Sequence, residues 1–63
     1  MNLDQKELDE QLIAAAWDND VTKSRLLIEA GADVNAKDKT VQSAYLISTS
    51  EGYLPLLELT LNH

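Results

Sequence analysis

The chain has 63 residues, a net charge of −6, no Cys and a single His at its last position. That length allows one small domain, which buries only about 60% of its unfolded surface, and the missing Cys excludes both a disulfide framework and a thiolate zinc site. The acidic balance argues against nucleic acid as a partner, because phosphates call for Lys and Arg, and no apolar run approaches the roughly 18 residues of a membrane span.

The opening residues 1–7 carry neither a basic region nor an apolar run, so no secretory signal is expected and the cytoplasm is the expected compartment. Asp4 followed three residues later by Glu7 is an acidic variant of a capping box. It predicts a helix over residues 4–17, with Leu8, Leu12, Ala15 and Ala16 on one apolar stripe and Asp9, Glu10 and Gln11 towards water. The small side chains of Ala14-Ala15-Ala16 let a second helix approach closely. Asn19 can take the left-handed residue that ends the helix, and Asp20 can cap a second helix over residues 21–30. The link is so short that the two helices must pack antiparallel.

Leu26-Leu27-Ile28 is expected to form a buried stripe, and Gly31 falls where a helix stop needs positive φ. Val34 begins an extended pattern, and Asn35 is a turn former. No helical period runs through residues 33–42. Ser43 caps a third helix to about residue 50, whose apolar positions are Ala44, Tyr45, Leu46 and Ile47, with Tyr45 expected in the core. Gly52 ends it. Pro55 fits the first turn of a fourth helix over residues 54–61, where leucines at 54, 56, 57, 59 and 61 spread over more than one helical stripe, so that a single neighbour cannot bury them all.

Laid on itself with an offset of 33, the chain keeps residue character without a gap. Leu12 falls on Tyr45, Ala15 on Ser48, Asn19 on Gly52, Val21 on Leu54, Leu26 on Leu59 and Ile28 on Leu61. This period, together with the phrase Gly31-Ala32-Asp33-Val34-Asn35 after Leu27-Ile28 and before Asp38, resembles the ankyrin repeat, a helical hairpin unit with a projecting β-turn finger. The resemblance implies an all-α short solenoid of antiparallel helix pairs. Residues 1–36 would be an N-terminal capping repeat and residues 37–63 a second repeat, incomplete at its C-terminal end. The second unit departs from the family pattern. Val41 stands where the family has a turn glycine, which a β-branched residue replaces poorly, so the finger tip is expected to deviate. Ser43-Ala44-Tyr45-Leu46 stands for Thr-Pro-Leu-His, and Ser48-Thr49 for an alanine pair.

No catalytic constellation emerges. His63 is terminal and lacks a partner nearby in sequence. Ser48-Thr49-Ser50 has no nucleophile elbow around it. Asp18 and Asp20 begin like a cation loop but lack its glycine and its closing Glu. No enzyme activity, metal or cofactor is therefore expected. The resemblance implies instead a protein–protein interaction module that binds through its concave face and finger. The residues it assigns to binding are Trp17, Asp18, Lys37, Lys39, Thr40, Gln42, Ser50 and Glu51. Trp17 keeps two readings, a binding anchor or a cover folded over the alanine face. The alternative to a binding module is a structural N-terminal piece of a longer repeat protein. Two repeats are fewer than a solenoid needs, so the C-terminal face is expected to be covered by further repeats or by self-association through Leu56, Leu57, Leu59 and Leu61.

Overall fold

The computed structural model describes residues 4–37 and 42–62. They form four α-helices, α1 (Gln5–Trp17), α2 (Val21–Glu29), α3 (Ala44–Glu51) and α4 (Leu54–Leu61), with no strand among the described residues. The all-helical expectation holds, and each helix end lies within one residue of the expected one. The finger tip expected to deviate at Val41, and His63, lie outside the described residues.

The helices begin where side chains can accept from their unpaired N–H groups. The Asp4 carboxylate accepts from Glu7 N at 2.8 Å, and that of Asp20 accepts from Lys23 N at 3.0 Å. The Ser43 hydroxyl accepts from Leu46 N at 3.2 Å. α4 has no such side-chain cap and starts instead with Pro55 in its first turn. The helices end as the sequence predicts. Asn19 (φ 54°), Gly31 (φ 110°) and Gly52 (φ 72°) all take positive φ. Around Asn19, Asp20 N donates to Ala15 O at 2.9 Å and Asn19 N to Ala16 O at 3.0 Å. Around Gly31, Ala32 N donates to Leu27 O at 2.9 Å and Gly31 N to Ile28 O at 3.0 Å. Each pair of bonds is a Schellman closure, which occupies carbonyls that the helix leaves open.

The turn between α1 and α2 recurs 33 residues later between α3 and α4. Asn19 and Gly52 share the left-handed conformation. Asp20 (φ −87°, ψ 87°) matches Tyr53 (φ −80°, ψ 79°). Asp20 N donates to Ala15 O, and Tyr53 N donates to Ser48 O at 3.0 Å. The period seen in residue character is therefore also a period in backbone geometry.

α1 packs on α2 and α3 on α4, making two hairpins, and the hairpins meet through α1 on α3 and α2 on α4. The segment after Gly31 sets their register. Asp9 Oδ1 accepts from Asp33 N and from Gln5 Nε2, both at 2.8 Å, and Gln5 Nε2 also donates to Gly31 O at 3.0 Å. Asp33 Oδ1 in turn accepts from Asn35 N at 2.9 Å, an Asx turn. Val34 O accepts from Tyr45 N at 3.2 Å. The phrase Gly31-Ala32-Asp33-Val34-Asn35 thus ties the connecting segment to the start of α1 and places the start of α3 beside it. α1 and α3 consequently run in the same direction.

One core lies between the hairpins. Leu12, Ile47 and Leu56 are its largest fully buried side chains, and burying each contributes about 1.5–3 kcal/mol. Leu8, Leu12, Ala15 and Ala16 are buried as expected, with Ile13 beside them, whereas Ala14 faces solvent. Polar residues enter this core by bonding back to their own helix. Ser48 donates to Tyr45 O at 2.9 Å and Thr60 to Leu57 O at 2.8 Å. Ser24 is the exception, fully buried with its Oγ lacking a hydrogen-bond partner.

Four expectations of burial are corrected. Leu26 is exposed, because the rotation that points Leu27 and Ile28 inward carries its neighbour outward at about 100° per residue. Tyr45 and Leu46 face away from the first hairpin, since Ala44, Ile47 and Ser48 fill the side of α3 that packs. Asp9 and Gln11 are half-buried rather than facing water, Asp9 being held by the bonds from Gln5 and Asp33. Finally, Leu56 and Leu59 are occupied inside the chain and cannot serve as a self-association surface.

Candidate functional site

Those of the residues assigned to binding that the structure describes fall into two groups at opposite ends of α1 and α3. Trp17 ends α1 and Glu51 ends α3. Because the two helices run in the same direction, Trp17 and Asp18 lie at the same end of the fold as Ser50 and Glu51. All four are exposed, Trp17 at 45%. Trp17 lies outside the buried core cluster, with a little under half of its surface exposed. Lys37 is exposed and Gln42 half-buried, and both precede α3, at the end where the helices begin. Lys39 and Thr40 lie outside the described residues. The thirteen residues of α1 span about 20 Å, so Trp17 does not form one compact site with Lys37 and Gln42.

A second surface emerges when equivalent positions of the two hairpins are compared. Leu12, Ile13, Val21 and Ile28 of the first hairpin are buried or half-buried against the second. Their equivalents 33 residues on are Tyr45 (36% exposed), Leu46 (38%), Leu54 (69%) and Leu61 (65%). The inverse also holds. Ala14, Lys23 and Leu26 are exposed, while their equivalents Ile47, Leu56 and Leu59 are buried. Each hairpin thus has a forward face and a rear face, and the forward face of the first is closed by the rear face of the second. The forward face of the second is open. On α4 its leucines 54, 57 and 61 lie within about 60° of arc, with Leu57 half-buried.

Leu54, Tyr45 and Leu46 had no place among the residues expected at an interface. The signal that finds them is the offset itself: where Val21 of one unit is inward on the forward side, Leu54 of the next must look for a partner in the same direction.

No group of three or more His, Cys, Asp or Glu among the described residues could hold a metal ion. A shallow, open groove of about 250 Å³ between α2 and α4 is lined by Val21, Arg25, Pro55, Glu58, Leu59 and Asn62. It is smaller than pockets that take drug-sized ligands, and no nucleophile with a base lines it. No helix of the described residues is long and apolar enough to cross a membrane. No protein-family model, curated protein or solved structure matches the chain.

Proposed function

We propose that this chain is a non-enzymatic protein–protein interaction module of the ankyrin type, acting in the cytoplasm and binding a protein through the end of the fold that carries Trp17. The observation that supports this reading is the exposure of Trp17 at the end of α1, next to Asp18 and on the same side as Ser50 and Glu51. A half-exposed indole with polar neighbours is the kind of side chain that anchors interfaces, giving a large apolar area at small entropic cost with an N–H to orient it. Capture experiments with the chain and with Trp17→Ala test the reading. The variant keeps its helicity, because the indole lies outside the core. It should lose about 2 kcal/mol or more of binding, roughly 30-fold in affinity. Equal capture of the same protein by both chains contradicts it.

A second reading is a structural N-terminal portion of a longer stack, in which other repeats do the binding. The open forward face of the second hairpin favours it, since the same positions in the first hairpin are covered by a helical hairpin. Capture that depends on added repeats and is indifferent to Trp17 selects this reading.

A further inference from the structure

We propose that the forward face of the second hairpin is a two-fold docking surface for a second copy of this chain. Tyr45, Leu46, Thr49, Leu54, Leu57 and Leu61 make up this face. None carries a charge, and Leu54 and Leu61 are the most exposed large hydrophobic side chains among the described residues. The equivalent positions of the first hairpin show what such a face fits: two packed helices presenting apolar side chains, as α3 and α4 do with Ala44, Ile47, Leu56 and Leu59. A second copy offers a pair of helices in two ways, and charge decides between them.

In head-to-tail stacking, the open face would meet the rear of another copy's first hairpin, where Lys23 and Ala14 stand with a single large apolar side chain, Leu26. It would also bring residues 1–33, with eight acids and three bases, against a neighbour of the same sign. In two-fold pairing, leucine stripe meets leucine stripe. The halves in contact are then residues 34–63, with three acids and two bases, and the acidic first hairpins sit at the far ends. Like charges are separated and the exposed leucines are covered on both copies at once, so the isologous arrangement is favoured. It also closes, whereas head-to-tail contacts propagate. A standard interface takes about 800 Å² from each partner, close to a fifth of the 4165 Å² this chain exposes. Covering about that area on one face is what a stable dimer of this chain requires.

Sedimentation equilibrium of the 63-residue chain from 10 µM to 1 mM tests the proposal, with Leu54→Glu, Leu61→Glu and Leu26→Glu alongside and circular dichroism on each. The wild-type chain should pass from its 7.0 kDa monomer to twice that mass and no further. Leu54→Glu and Leu61→Glu should weaken association at least tenfold with helicity unchanged, and Leu26→Glu, on the rear of the first hairpin, should leave it intact. If one of the two face variants loses helicity, the other supplies the reading, and a chemical cross-link between two copies of a Leu57→Cys variant supplies it without either. A wild-type chain that stays monomeric at 1 mM overturns the proposal. So does a mass that grows beyond the dimer, or an association abolished by Leu26→Glu.

Discussion

The two hairpins share a turn, a period and a shared inner layer, yet they differ in what their free faces carry. The free face of the first shows Ala14, Lys23 and Leu26, small or charged apart from one leucine; that of the second shows Tyr45, Leu46, Leu54 and Leu61. The described fold thus carries a mainly small or charged surface on one side and an apolar one on the other. The difference teaches that burial here is decided by position along the stack rather than by the helix on which a residue sits. Tyr45 takes the place of Leu12, but Leu12 is fully buried whereas Tyr45 keeps 36% of its surface exposed.

The largest effects should come from reversing that comparison at equivalent positions. Leu12→Ala removes a fully buried side chain and should cost about 2–5 kcal/mol. A domain of this size rarely has more than about 3–5 kcal/mol in all, so the variant should be largely unfolded at 25 °C by circular dichroism. Tyr45→Ala, at the equivalent position, should cost under about 1 kcal/mol in dilute solution, because the ring already faces solvent. Equal losses in urea titrations of the two variants would erase the distinction between the hairpins.

A smaller effect is expected at the bonds that fix how the hairpins are joined. Asp9→Ala removes the acceptor of both Asp33 N and Gln5 Nε2 and should cost about 1 kcal/mol. Asp9→Asn keeps an oxygen acceptor and should recover most of it. If Asp9→Ala unfolds at the same urea concentration as the wild type, the connecting segment is held by something other than this carboxylate.

The smallest effect has the opposite sign. Ser24 on α2 is fully buried with an unpartnered hydroxyl, whereas Ser48 and Thr60 in the second hairpin both bond back to their helices. Ser24→Ala removes a desolvated polar group and should raise stability by about 0.5–1 kcal/mol. Ser48→Ala, which gives up a made bond, should gain less. A lower melting temperature for Ser24→Ala than for the wild type would show that the hydroxyl has a stabilising role.

Much of the fold was legible because its signals are local. Asp4, Asp20 and Ser43 accept from the backbone three residues on, and Gly31 and Gly52 occupy positions that ask for positive φ. Those choices are made within a few residues and survive any packing. Burial was less legible. Leu26 and Tyr45 are apolar and sit in helices, and only the arrangement of four helices says which side of each faces a neighbour. The role of Asp9 was hidden for the same reason: its partner Asp33 is 24 residues away, beyond any helical period. The candidate surface was half legible. The excess of leucines on α4 announced an uncovered stripe, but Leu56 and Leu59 could be separated from Leu54 and Leu61 only by seeing which pair the packed helices bury. The helical hairpin pair stands on these residues, while the ankyrin resemblance remains part of the proposal.

Whether the apolar forward face of the second hairpin is covered by a second copy is read most directly from its leucine methyl groups. Their relaxation by a soluble gadolinium complex should be measured by NMR at about 20 µM and again at about 1 mM chain. At the lower concentration Leu54, Leu61 and Leu26 should relax strongly while Leu12 and Leu56 stay protected. At the higher one Leu54 and Leu61 should become protected and Leu26 should not. Protection of Leu54 and Leu61 in the dilute sample, or their continued exposure in the concentrated one, would contradict the account.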